Sequence, residues 1–396
     1  MKILILCGVF ARENQQEVID NARASVEFSA NQFQLKLIQG FQDAGYPVSV
    51  LSAPFIGSYP NASRISKFKA FAQPQNLCTY VPFSNLWGYR NISRARALKK
   101  AMSEFIEADD PQKLILVYSA HTPFLEAAAY AKKADPRIRA CFYVPDLPSY
   151  MNLRADRSWI YDVAKKADIA KMNKLSRCVD SFVVLTEYMK EPLGVGDRPC
   201  RVVEGIVSEI PTPDSSPKQK EKYIVYTGKL DEAFGVKSLV DAMANLEDPD
   251  YRLVLCGQGD SFDYAVQASE KDSRIMPLGQ VSPETAAQWQ HRAAVLINPR
   301  ANVGEYTKYS FPSKNVEYLL SGKPVVAYLL HGMPRCYRDF IYEIDSGREP
   351  VAAITEAVRR AVEDDRQVKH EKYRAFLRYA TEHLAAERIA NMILDL

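Results

Sequence analysis

The stretch YSFPSKNVEYLLSGKPVV, residues 309–326, decides how the C-terminal half of this chain is read. Pro312 fixes φ near a helix start, and Ser310 or Ser313 stands where a cap belongs. Val316, Leu319 and Leu320 share one apolar face, and Gly322 stops the helix before the strand-like PVV. The unpaired amides of such a first turn, at the positive end of the helix dipole, form an anion site to which Lys314 adds charge. Glu317 follows one turn later, where a carboxylate can accept hydrogen bonds from two ribose hydroxyls. Taken without its surroundings, the same stretch is equally a capped helix carrying a solvated glutamate.

The surroundings alternate short apolar runs with longer amphipathic ones, as in parallel sheets covered by helices on both faces. One series holds the strand candidates KILILC (2–7), PVSVLS (47–52), KLILVYS (113–119), RACFYV (139–144) and SFVVL (181–185), with helical stretches such as ANQFQLKLIQGFQDAG (30–45) between them. A second holds YIVYTG (223–228), RLVLCG (252–257), IMPLG (275–279), AAVLINP (293–299) and PVVAYL (324–329). EIPTPDSSPKQKEK (209–222), with its prolines and charge run, reads as an exposed linker. The expected fold class is α/β, with two Rossmann-like domains over 1–208 and 223–370, a cleft between them, and a C-terminal helix over 371–396 that packs back. Ligands of such folds sit beyond the carboxyl ends of the strands, where helix N-termini point.

With 396 residues, 47% hydrophobic and 25% charged, the chain has apolar content for two cores and falls outside the disordered class. A net charge of +3 argues against a dedicated nucleic-acid binder. The seven cysteines are scattered singly, without a C-x-x-C pair, which argues against a disulfide framework or zinc site and for a reducing compartment. MKILILCGVF lacks the basic region and cleavage site of a signal peptide, and nowhere do about 18 apolar residues run together, so a cytoplasmic location is expected. The stretches RISKFKAF (64–71) and NISRARALKKAMSEFI (91–106) combine basic and apolar residues. They read either as a peripheral contact with the inner face of a membrane or as core-packed structure with a solvated basic face.

Several segments of the second series together resemble the GT-B glycosyltransferases of retaining family 4. GKL (228–230), FGVKSLVDAM (234–243), LVLCGQGD (253–260), IMPLGQVS (275–282), AAVLINPR (293–300) and EYLLSGKPVVA (317–327) match that family's donor-binding domain in order. The resemblance covers nearly all of the second domain and fades to topology in the first. It implies transfer of a sugar from a UDP-, GDP- or dTDP-sugar to a hydroxyl of a glycan or lipid-linked glycan, with retention, no metal and no cofactor. Gly228 and Lys229 would then meet the donor diphosphate, the turn Tyr309, Ser310, Phe311, Pro312, Ser313 and Lys314 would bind phosphate oxygens, and Glu317 would hold the ribose. A cation and a helix start suit that leaving group on charge alone.

The chain also departs from the family. Two glutamates separated by seven residues are usual there, and Tyr309 occupies the first position, with Glu305 nearby as a substitute carboxylate. Phe234 stands where a diphosphate-binding lysine is usual, with Lys237 and Lys308 as candidate replacements, and GVFARENQ (8–15) lacks the usual Gly-Gly loop. In the first series, SAHTPF (119–124) places His121 at a strand end, as a hydrogen-bond partner of the donor sugar or as a structural histidine. Asp146 in PDLPSYM (145–151) reads as a group that orients or deprotonates an acceptor hydroxyl, or as a turn residue between two prolines. The catalytic set is therefore His121, Asp146, Lys229 and Glu305. Two alternatives stay open: a nucleotide-sugar 2-epimerase of the same architecture, and a degenerate, non-catalytic sugar-binding or partner protein.

Overall fold

Uninterrupted aliphatic and β-branched runs suit strands buried on both faces, and the observed strands lie where those runs occur. A computed structural model describes residues 1–23, 26, 28–69, 78–150, 159–210 and 220–396. These divide into one unit formed by Met1–Ser208 with His383–Leu396 and another formed by Glu209–Glu382. Most of the proline-rich stretch at 209–222, the end of RISKFKAF and Met151 of PDLPSYM lie outside the described residues.

The first unit contains β1 (Lys2–Cys7), β2 (Val48–Ser52), β3 (Lys67–Phe68), β4 (Thr79–Tyr80), β5 (Phe83–Ser84), β6 (Lys113–Tyr118), β7 (Ile138–Val144), β8 (Ser181–Val184) and β9 (Cys200–Val202). Its main sheet runs β4-β2-β1-β6-β7-β8-β9, parallel throughout, while β3 and β5 form a small antiparallel ribbon. Chain order reverses between β1 and β6, which makes their carboxyl ends the switch point of this sheet.

The second unit contains β10 (Lys222–Thr227), β11 (Tyr251–Cys256), β12 (Ile275–Gly279), β13 (Val295–Asn298), β14 (Val325–Ala327) and β15 (Tyr342–Glu343), in the parallel order β12-β11-β10-β13-β14-β15. Here the switch point lies between β10 and β13. The α/β reading holds, and every run taken as a strand contains one. β3, β4, β5, β9 and β15 escape a sequence reading because two or three residues carry no periodicity.

The stretch 371–396 is not the single helix expected. A helix over Arg366–Tyr379 continues into a π-turn at Ala380–Leu384, and a separate helix, Ala386–Leu394, follows an extended Ala385. Its buried face of Ile389, Ala390 and Ile393 packs on the helix Phe28–Asp43 of the first unit, where Tyr46 Oη donates to Asn391 Oδ1 at 3.1 Å. Amphipathic periodicity runs through the break, because both helices bury an apolar face, although in different units.

Candidate functional site

In the second unit the loops that leave β10 and β13 meet at the switch point. Gly257 lies so close that a Cβ there would fall 1.8 Å from Gly228 O, and a Cβ on Gly235 would fall 2.2 Å from Pro299 O. The helix Ser313–Leu320 is tied to both strand ends. The Thr227 amide donates to the buried Tyr318 Oη at 2.9 Å, and Asn298 Nδ2 donates to Asn315 Oδ1 at 2.7 Å. The start of that helix is thereby fixed over the end of β10.

Pro312 occupies the cap position, and no side chain caps the helix. Neither serine does what the sequence suggests: Ser310 Oγ accepts from Arg300 Nη2 at 3.0 Å, and Ser313 is exposed. The first-turn amides therefore have no side-chain acceptor. Leu320 is only half-buried, and Tyr318 fills the core with Val316 and Leu319. Phe311 is buried edge-on against Tyr337, with ring centroids 5.2 Å apart, so it anchors the turn and is poorly placed to touch a ligand.

Glu317 is held by its neighbours. Gln290 Nε2 donates to Oε1 at 2.8 Å while also reaching Thr227 Oγ1 at 3.0 Å, and Lys314 Nζ lies 3.4 Å from Oε2. The carboxylate thus points along the end of β10 and stays half-exposed, with lone pairs left for further donors. Lys314 passes over Gly228, with Cε 3.2 Å from where a Cβ would stand. Lys229 is mostly exposed, with Nζ 3.3 Å from Asp231 Oδ2, and its backbone carbonyl accepts from Tyr226 Oη at 2.8 Å. Tyr309 ends a short turn begun by Glu305, whose carboxylate accepts from Lys308 Nζ at 2.9 Å. Lys237 donates to Glu232 at 2.5 Å, so both lysines considered as replacements at Phe234 already hold a neighbouring carboxylate. Over the Phe234 ring lies Arg300, its Cζ 5.4 Å from the centroid.

In the first unit His121 follows β6 at the switch point, directly before the helix Thr122–Ala134. Arg94 Nη1 lies 3.1 Å from His121 Nε2 and Nη2 donates to Pro54 O at 2.6 Å. A guanidinium only donates, so Nε2 is the acceptor and the imidazole proton sits on Nδ1. Burial, then the charges of Arg94 and Arg90, hold His121 well below the ordinary imidazole range, which makes it a neutral hydrogen-bond donor. Asp146 is exposed beyond β7; burial, and after it the negative charge of Asp146, pushes the Tyr118 phenol up.

The basic stretch 91–106 also differs from a uniformly solvated face. Arg94 is buried with its guanidinium 4.4 Å from the centroid of Phe83, and Phe68 from the other patch stacks on the same ring. Gln290, Arg300 and Arg94 are the residues a sequence reading passes over. Arg300 alone carried a positional signal, as a cation two residues beyond a strand end.

Both units have the parallel α/β architecture of GT-B glycosyltransferases, and solved structures of that class match along the whole chain. Sucrose-phosphate synthase from Thermosynechococcus elongatus superimposes with a TM-score of 0.65 at 14% identity, covering 100% of this chain and 98% of that one. Anabaena Alr3699/HepE in complex with UDP gives 0.61 at 16% identity, with 100% and 99% covered. WaaG, a glycosyltransferase involved in lipopolysaccharide biosynthesis, gives 0.60 at 12% identity, with 99% of each chain covered. At these identities the likeness concerns the fold. No curated protein matches in sequence. Residues 209–383, which include the whole second-unit site, match the family described as Glycosyl transferases group 1.

Proposed function

We propose that the chain is a retaining glycosyltransferase that moves a sugar from a nucleotide-sugar to a hydroxyl of a glycan or lipid-linked glycan, without a metal. The observation that carries this reading is the second-unit switch point, where uncapped helix amides, Lys314 over Gly228 and a pre-aimed Glu317 lie within one helical turn. Amides and lysines would neutralise the charge that develops on the departing diphosphate, and Glu317 would hold the ribose diol. Retention follows if the leaving phosphate itself takes the proton of the incoming hydroxyl on the same face. The UDP held by the Anabaena neighbour supports a nucleotide-sugar as the donor class.

Calorimetric titration with UDP, GDP, dTDP and CMP tests the reading. One base is expected to bind clearly, and Glu317→Ala to weaken that nucleotide by about tenfold or more, because a charged hydrogen-bond acceptor for two hydroxyls is removed. Unchanged affinity in the variant would remove the site's central support. Release of nucleoside diphosphate only when acceptor is present separates a transferase from a degenerate binding protein, and isomerised free donor would identify an epimerase.

A peripheral membrane contact is proposed as a second property of the first unit. Leu86, Trp87, Tyr89 and Ile92 are all exposed, beside the exposed Arg96 and Lys100 of the helix Arg90–Ala101. No helix among the described residues is long and apolar enough to cross a membrane. Co-sedimentation with vesicles of phosphatidylglycerol, but not of phosphatidylcholine alone, is expected, together with at least a severalfold loss in Trp87→Ser. Equal recovery with both vesicle types would refute an electrostatic contact.

A further inference from the structure

The charges around the second-unit switch point do not balance evenly, and the imbalance falls on one residue. Lys229 lies 3.3 Å from Asp231, Lys314 3.4 Å from Glu317, Lys308 2.9 Å from Glu305 and Lys237 2.5 Å from Glu232. Arg300 pairs with no carboxylate among the described residues. Its hydrogen bond goes to a neutral hydroxyl, from Nη2 to Ser310 Oγ at 3.0 Å, and its Nε is shielded from solvent without any partner.

The geometry of the side chain is equally specific. Its Cζ lies 5.4 Å from the Phe234 centroid and 5.3 Å from that of Tyr306, so two aromatic rings hold the guanidinium while supplying no conventional acceptor for its N–H groups. It leaves β13 at the switch point opposite Gly228 and Lys229, and its charge reaches Tyr226, whose hydroxyl bonds the Lys229 carbonyl. The Ser310 it bonds begins the turn that leads into the uncapped amides of the helix Ser313–Leu320. A partly buried, uncompensated guanidinium with spare donors beside such a turn lacks an anion.

We propose that Arg300 is a diphosphate-binding residue of this site, its planar fork taking phosphate oxygens of the nucleotide in concert with the helix amides. The proposal rests on the nucleotide-sugar reading and names the group that holds the leaving diphosphate. Phe234 then serves as a platform for a cation brought from another loop. A merely structural Arg300, filling the space between two rings, would affect stability without distinguishing one phosphate from two.

The test is calorimetry on the full chain with UDP, UMP and inorganic pyrophosphate, comparing wild type with Arg300→Gln, which keeps a planar amide between the rings, and Arg300→Lys, which keeps the charge. Arg300→Gln is expected to weaken UDP and pyrophosphate by about tenfold or more and UMP by less than about threefold, with Arg300→Lys in between. Wild-type affinity for UDP in Arg300→Gln, or equal losses for UDP and UMP, would overturn the proposal. Independently of any variant, phenylglyoxal labelling of the wild-type chain read by peptide mass spectrometry is expected to spare Arg300 when UDP is present. Labelling at the same rate with and without UDP would overturn it as well. Pyrophosphate binding lost in Arg300→Gln supports the assignment even if no nucleoside diphosphate binds, an outcome that would instead sink the nucleotide-sugar reading.

Discussion

Gly257→Ala is expected to destabilise the second unit by about 4 kcal/mol or more, the range reached only by backbone collisions and similar defects. A Cβ at this position would stand 1.8 Å from Gly228 O, a backbone atom that cannot turn aside, and φ of +146° adds strain for any L side chain. Relief requires β10 and β11 to separate where they pair in parallel as far as Thr227 and Cys256. The same movement would displace Gly228, and with it the surface over which Lys314 passes. Urea unfolding followed through Trp289, which lies in the second unit, is the measurement. Gly322→Ala, in the same unit, is the control: φ is +75° there and the atom nearest to an added Cβ, on the Tyr373 ring, lies 3.5 Å away, so only backbone strain of about 1 kcal/mol is expected. Equal costs for the two variants would mean that the close approach of β10 and β11 is not maintained in solution.

Asp135→Ala is expected to lower the melting temperature of the first unit by on the order of 10 °C, more than Lys113→Met does. Lys113 opens β6 with a fully buried side chain, its Nζ 2.8 Å from Asp135 Oδ2 and 2.7 Å from Ile106 O. Removing the carboxylate leaves that ammonium facing a single carbonyl. Removing the lysine leaves Asp135 still bonded to Arg137 Nε at 3.0 Å and Nη2 at 3.1 Å, which is the milder defect. Hydrogen bonds from Arg137, then from Lys113, hold the Asp135 carboxyl well below the usual carboxylate range. A pKa depressed in the folded state gives stability that is complete above the unfolded value and lost as pH falls toward the folded one. Wild type should therefore lose melting temperature more steeply than Asp135→Ala as pH falls below about 5. Parallel slopes would show that the pair does not contribute.

Long-range pairing explains why some of the site could be read from the sequence and some could not. The helix Ser313–Leu320, its stop at Gly322 and the position of Glu317 follow from local chemistry, because proline, glycine and apolar spacing act within a turn or two. Gln290, which aims Glu317, lies 27 residues away in sequence, and nothing in a surface-like PETAAQWQHR marks one glutamine as different. Ser310 looks like a cap until Arg300, ten residues earlier, claims its hydroxyl. Arg94 sits in a charge-rich helix that reads as solvated, yet the Phe83 ring, the Pro54 carbonyl and His121 enclose it.

Sequence alone determined two series of alternating strands and helices, the parallel sheets they imply and the short helix that ends before Gly322, because burial on both sheet faces and helix termination are written in short-range composition. Only the tertiary structure decided that Arg300 keeps an unmatched charge, that His121 is neutral with its proton on Nδ1, and that the C-terminal stretch divides between the units. Those outcomes depend on which side chains and backbone groups from distant segments meet, and on what water they exclude, which no local spacing encodes.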